Sequence, residues 1–367
     1  MARSEAQEGH EGRNEGAMRP LHRFLVFIAA LGGVLFIALG AYLFATAPPA
    51  VAPWTREVDA PIGRFEAISA VIDDDLYRFS GFVEELKATR AAYRYRGASG
   101  AWERLTDIPV PVTHCNAVVD GRFIWIAGGF VGDDPGKATA AVWRYDSETD
   151  EWTAERPLPE PRAGGALVKI GRRLHYFGGF ASDRDSVRGD HFVLDLARKA
   201  GWQSRAPLPS PRGHLAGAEL GGLAYAVGGQ LRHDTKPLDL RFVHAYDPLK
   251  DEWSERAALP SGRSHDEQSI LVGNGKIALL GGRDTSSLRN RFFRRRTPGA
   301  PLDKVTVYDP EKNLWTEIAR LPEGLIGPSA HLMGDKVWLL GGSTNGAWEP
   351  QRATYSVPAR LFLGENR

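Results

Sequence analysis

Six times along the 367-residue chain, a short apolar run ends in a pair of small residues that stands a near-constant distance beyond a tryptophan. The pairs are Ser80-Gly81, Gly128-Gly129, Gly178-Gly179, Gly228-Gly229, Gly281-Gly282 and Gly341-Gly342, and the tryptophans are Trp54, Trp102, Trp152, Trp202, Trp253 and Trp315. From tryptophan to pair the distance is 26, 26, 26, 26, 28 and 26 residues, and successive pairs lie 48, 50, 50, 53 and 60 apart. A repeat of about 50 residues holding four strand-sized pieces is the unit of a β-propeller blade. Six such units predict an all-β chain of six blades.

Within each unit the order of pieces is constant. Around the third tryptophan the chain reads YDSETDEWTAERPLPEPRAGGALVKIGRRLHYFGG, and around the fifth YDPLKDEWSERAALPSGRSHDEQSILVGNGKIALLGG. A Tyr-Asp pair (Tyr145-Asp146, Tyr246-Asp247, Tyr308-Asp309) ends a strand, and a polar turn leads to the tryptophan strand. Leu-Pro-x-x-Arg then leads into an apolar inner strand. Glycine suits an exit where backbones crowd, and tryptophan gives each outer strand an apolar anchor between blades. The pattern resembles the kelch repeat from Trp54 to about Tyr355. The resemblance implies a six-bladed kelch β-propeller, similar in architecture to the bacterial N-acetylneuraminate epimerases and to the kelch domain of galactose oxidase. It speaks to fold more than to function, because propellers host enzymes and binding modules alike.

Trp54 stands 48 residues before Trp102, in register with the series, yet no blade precedes it. The last unit, after Gly341-Gly342, lacks a tryptophan strand of its own. The Trp54 strand is therefore expected to join the final blade and close the ring, removing two exposed sheet edges.

Upstream, Phe24 to Thr46 runs 23 residues without a charge, about 34 Å as a helix and enough to span a bilayer. Arg13, Arg19 and Arg23 precede it, and Arg56 is the only basic residue in the 15 positions after it. The positive-inside rule then puts the N-terminus in the cytoplasm and the propeller outside. The expected organisation is a polar cytoplasmic tail (1–23), a single transmembrane signal-anchor helix (24–46), a Pro/Ala linker (47–53), the propeller (54–360) and a C-terminal tail (361–367). The rival is a signal peptide cut at Ala45-Thr46-Ala47, but the apolar run exceeds the usual length of such a segment. The expected location is a bacterial inner membrane with the propeller in the periplasm, in keeping with the lack of any Asn-x-Ser/Thr acceptor.

A net charge of +1 with 25% charged residues carries no domain-wide basic excess, so nothing in that balance points to nucleic acid and none is expected as a partner. The single cysteine, Cys115, permits no intrachain disulfide and reads as a small buried residue.

In kelch-like propellers the connections at one face of the central channel form the usual ligand site. Ten residues after each tryptophan lie Arg64, Val112, Arg162, Arg212, Arg263 and Leu325; two further on lie Glu66, His114, Gly164, His214, His265 and Gly327. Arginine belongs to the consensus here and has a structural reading as a loop strut. Read functionally, these residues converge on one mouth. The fifth unit departs most, with Arg263-Ser-His265-Asp266-Glu267-Gln on an inner strand, where adjacent polar groups are costly unless they meet water or a ligand. Its 28-residue spacing leaves open whether His265 or Glu267 is the counterpart of His214.

The same unit carries the longest insertion, with Arg283, Arg289, Arg291, Arg294, Arg295, Arg296 and Lys304 against Asp284 and Asp303. It is expected over the mouth as an electropositive rim, with a membrane-docking loop as the rival. No phosphate loop, nucleophile elbow or metal motif occurs, so no metal or cofactor is expected, a copper radical site included.

Three functions follow from these residues. The first is a binder of an anionic partner, either an acidic glycan or an acidic protein segment, through Arg64, Glu66, His114, Arg162, Arg212, His214, Arg263, His265, Asp266 and Glu267. The second is a sugar-acid epimerase or mutarotase of the N-acetylneuraminate epimerase type, with Glu267, His265 and His214 catalytic. The third is a scaffold in an envelope complex.

Overall fold

The computed structural model describes residues 49–285, 299–344 and 349–365. They form six antiparallel four-stranded blades. In the first, Ile68–Ile72, Asp75–Phe79, Ala92–Arg96 and Ala101–Leu105 pair in sequence order. The next four blades repeat this from Ala117–Asp120, Ala166–Ile170, Ala216–Leu220 and Ile270–Gly273.

The sixth blade takes Ser329–Met333, Lys336–Leu340 and Thr354–Pro358 from the C-terminal end and Thr55–Arg56 from the other, with Thr55 opposite Ser356 and Arg56 opposite Tyr355. The Trp54 segment closes the ring, as the register of the repeat predicts. The expected anchor and tail, residues 1–46, lie outside the described residues; among those described, no helix is long and apolar enough to cross a membrane.

Blade order explains the burial pattern of the strands. A second strand such as Arg173–Phe177 or Lys336–Leu340 is buried on both faces after its first residue, because every blade lies between two others. An outer strand such as Glu151–Ala154 buries little and reads as polar. The apolar core is accordingly divided among the blade interfaces. Ile68, Phe79 and Leu105 of the first blade meet Cys115, Ile124 and Tyr145 of the second, and Leu76 and Tyr95 of the first meet Met333, Trp338 and Leu340 of the sixth.

Four of the interfaces are also pinned by a tryptophan bond, while the indole N–H groups of Trp102 and Trp315 are buried without a hydrogen-bond partner. Trp152, Trp202 and Trp253 donate their indole N–H to the carbonyls of Thr106, Arg156 and Ala206 in the preceding blade. Trp54 does the same across the closure, to Arg320 of the fifth blade at 3.2 Å.

Two expected boundaries shift. Residues 361–367 are not simply a tail, since Phe362 and Leu363 are buried in the core between the fifth and sixth blades, with the Phe362 ring 5.6 Å from that of Trp54. Nor is residue 47–53 wholly a linker: Ala52 N–H donates to Arg320 O, and Arg320 N–H to Ala50 O.

The Leu-Pro-x-x-Arg position and the glycine pair turn out to be one device. The backbone carbonyls of Arg64, Val112, Arg162, Arg212, Arg263 and Leu325 accept the N–H of Gly342, Gly81, Gly129, Gly179, Gly229 and Gly282, each from the preceding blade. A Cβ on Gly228, which sits at φ 62°, would lie 2.6 Å from the Arg263 carbonyl oxygen. The pair is small because the next blade's entry passes directly over it.

Candidate site at the channel mouth

Two residues past that entry, the chain of every blade turns left-handed. The φ values are 51° at Glu66, 57° at His114, 63° at Gly164, 49° at His214, 59° at His265 and 58° at Gly327. The six positions are linked in part by backbone bonds: Gly164 N–H donates to His114 O, Gly327 N–H to His265 O and Glu66 N–H to Gly327 O. A Cβ on Gly164 would stand 2.9 Å from His214 N, and one on Gly327 would stand 2.8 Å from Glu66 Cγ. The two glycines leave the gaps through which the four remaining side chains meet.

Those side chains are buried and mutually close. His114 Nδ1 lies 3.0 Å from Glu66 Oε2 and 2.7 Å from Thr113 Oγ1. His214 and His265 stack at 3.9 Å with 14° between their planes, and His114 and His214 ring centres are 4.6 Å apart. His265 Nε2 is 3.6 Å from Glu66 Oε1. At its other nitrogen, Nδ1, His265 meets Ser264 Oγ at 2.8 Å, and that hydroxyl donates to Asp239 Oδ1. The Ser264 proton is thus committed to Asp239. His265 therefore carries its own proton on Nδ1 and presents a lone pair at Nε2.

The longer spacing of the fifth blade resolves here. His265 takes the left-handed position, and its inner strand starts only at Ile270. The intervening residues make a turn, Ser269 N–H to Asp266 O, which carries Asp266, Glu267 and Gln268 into the channel. Glu267 Oε1 shares a proton with His214 Nδ1 at 2.7 Å. Gln268 reaches across to two other blades, accepting from Ser69 N–H and donating to Cys115 O.

Burial dominates the electrostatics. It holds His214 and His265 well below the ordinary imidazole value, with the other histidines and Arg283 adding to the effect. It raises Asp266 to about 7 and Glu267 well above the usual carboxyl range, the latter also because Glu66 and Asp266 stand near it.

The arginines are used differently from the functional expectation. Arg212 donates to the carbonyls of Gly228, Ala226, Pro209 and Ser210. Arg263 donates to Gly281 O, Lys304 O and Thr306 Oγ1, and Arg64 to Ser80 O and Ala91 O. Arg162 binds Pro161 O, Glu160 and Asp190. These guanidinium groups brace their blades instead of forming a charged rim. Most of the basic insertion, residues 286–298, lies outside the described residues. At its base, Arg283 is buried with Nε and Nη2 lacking a hydrogen-bond partner, 3.6 Å from Asp239.

Sequence reasoning misses two residues of this cluster. His233, from the loop after the fourth glycine pair, packs edge-on against His214 at 4.8 Å and stacks between Phe130 and Phe180. Arg184 holds it, with Nη2 3.2 Å from His233 Nε2, and pairs with Asp134 and Asp234. Both sit in loops of unequal length, where repeat counting loses register. Two overlapping trios emerge in which one donor atom per residue lies within 4.8 Å of the others: His114, His214 and His233, and Glu66, His214 and His265. No spacing motif signals either: Glu66, His214 and His265 come from three different blades, and His214 and His233, though both on the fourth blade, stand 19 residues apart with His114 on the second.

Residues 111–159 match the Kelch motif family model. Kelch-like protein 25 of Xenopus tropicalis is 30% identical over 132 residues, 35% of this chain and 20% of that protein. An F-box/kelch-repeat protein of Arabidopsis thaliana is 33% identical over 152 residues, 40% of this chain and 29% of that one. The chain thus spans less than a third of either relative. Among solved structures, that of YjhT aligns with a TM-score of 0.67 at 14% identity, covering 82% of this chain and 95% of that one.

Proposed function

Because this chain is a kelch-repeat propeller, we propose that it works at its channel mouth as an enzyme-like propeller, binding a small anionic ligand of the sugar-acid class and moving a proton on it. One observation carries the reading. Glycine fits the left-handed position in two blades, yet four blades hold Glu66, His114, His214 and His265 there. A Cβ in that conformation costs about 1–2 kcal/mol per residue, and such strain is retained where it serves a site.

Arg283 supports the anionic part of the reading: it is buried, its Nε is ion-paired with Asp239 at 3.6 Å without a hydrogen bond, and its Nη2 has no hydrogen-bond partner. Glu267, in contact with His214, is the group placed to take and return a proton, as epimerisation or mutarotation requires. Arg283 also favours a second reading, a module that binds an acidic glycan or acidic protein segment without turnover. That reading leaves the strained cluster without a task. The location we propose is a bacterial inner membrane, spanned by residues 24–46, with the propeller in the periplasm; the uncharged run and the arginines before it support this.

The test is proton-exchange NMR of full-length detergent-solubilised protein with sugar acids and matched neutral sugars. Glu267→Gln is expected to keep binding and lose about 100-fold or more in turnover. Arg283→Ala is expected to weaken sugar-acid binding by about 2–5 kcal/mol. Wild-type turnover by Glu267→Gln would remove the catalytic reading, and unchanged sugar-acid affinity in Arg283→Ala would remove the anionic one.

A further inference from the structure

We infer that Glu66, His214 and His265 form a site for one divalent first-row transition metal ion. This deepens the reading above and rests on it for what the ion does, not for whether the ion binds.

His265 has its Nδ1 proton committed to the Ser264–Asp239 relay, so its Nε2 is an acceptor with no donor, facing Glu66 Oε1 at 3.6 Å. His214 Nε2 is buried in a fully enclosed side chain and has no hydrogen-bond partner, and Glu66 Oε2 has beside it His114 Nδ1, at 3.0 Å, without a hydrogen bond between them. One carboxylate and two imidazoles thus converge, and when the proton shared with Glu267 rests on His214 Nδ1, none of the facing atoms carries a proton, an arrangement that costs free energy when left unsatisfied. A cation satisfies all three at once.

The surroundings fit an ion. Glu66 and His265 line a cavity of about 10 Å³, together with His114, Glu267 and Gln268, about the volume of one water; His214 is not among its walls, so its ring has to turn or shift toward the ion. Donors at most 4.8 Å apart need to close by about 1–2 Å to reach the spacing around a bound ion. Both imidazoles have the outer support that metal-binding histidines show. With an ion on Nε2, the proton shared with Glu267 rests on His214 Nδ1, and Ser264 holds His265 in the same way. Two imidazoles and a carboxylate select zinc, iron, manganese or cobalt over magnesium or calcium, and leave coordination positions open for a ligand.

The competing trio with His114 and His233 is less suited. Arg184 donates to His233 Nε2 from 3.2 Å, which puts the proton of that ring on Nδ1 and a positive charge beside it.

The experiment uses the full-length protein, stripped with EDTA and reloaded with cobalt(II) or zinc(II). Bound metal is read by mass spectrometry and by the visible cobalt spectrum. We expect one equivalent in wild type and in His233→Ala, and at least about tenfold weaker binding in His265→Ala and Glu66→Gln. If His265→Ala loses its fold by circular dichroism, the near-isosteric Glu66→Gln carries the comparison. Wild type that takes up no stoichiometric metal overturns the site, as does loss in His233→Ala with retention in His265→Ala and Glu66→Gln. Full occupancy without sugar-acid turnover upholds the site and removes the catalytic reading. Turnover by wild-type protein that binds no metal does the reverse.

Discussion

Arg212 shows how one residue type at one repeat position supports opposite readings until its donors are located. From sequence it is either a strut or an anion clamp, because the same consensus arginine serves whichever way it points. In the structure four backbone carbonyls share its guanidinium, which is fully buried. Arg212→Ala therefore leaves several buried acceptors unpaired, at about 1–3 kcal/mol each. We expect it to lower the free energy of unfolding in urea by about 3 kcal/mol or more. A change under about 0.5 kcal/mol would mean that the guanidinium is not a strut. The histidines were legible in a different way. Their recurrence two residues past the arginine marked the ring position, but the left-handed backbone that makes a side chain costly there has no sequence signature once glycine is absent.

At the scale of the element, the constant tryptophan spacing carried almost everything. It located the closing strand 299 residues from its partner in the sixth blade, because a period fixes register even across the chain ends. The single exception to that period, 28 in place of 26, marked the turn that brings Glu267 to His214. What it could not tell was which of two residues kept the ring position, since two extra residues can be absorbed on either side. The closing element also has an energetic test. Thr55–Arg56 covers the edge of the sixth blade, while Trp54 bonds the fifth and packs on Phe362. Protein lacking residues 1–48 should unfold close to wild type in denaturant, and protein lacking residues 1–60 should lose several kcal/mol, a buried aromatic and an edge pairing together. Equal stability of the two would show that the ring does not depend on this strand.

Across the whole molecule, six similar units build a symmetric frame and then break the symmetry at one level of the channel. Interfaces, outer-strand tryptophans and glycine pairs repeat from blade to blade, and they explain why the fold was readable from periodicity alone. The loops above the mouth do not repeat, so Arg184 and His233 were out of reach of repeat counting and appear only once the chain is folded. The central claim is that Glu66, His114, His214 and His265 are held in left-handed backbone for function and not for stability. Glu66 tests it most directly, since the sixth blade already carries glycine at the equivalent Gly327. The measurement is the unfolding free energy of Glu66→Gly against wild type, in EDTA so that no ion contributes. Release of about 1–2 kcal/mol of backbone strain and removal of a buried carboxylate should leave the variant as stable as wild type or more so. A loss of more than about 2 kcal/mol would make Glu66 a structural residue and contradict the account.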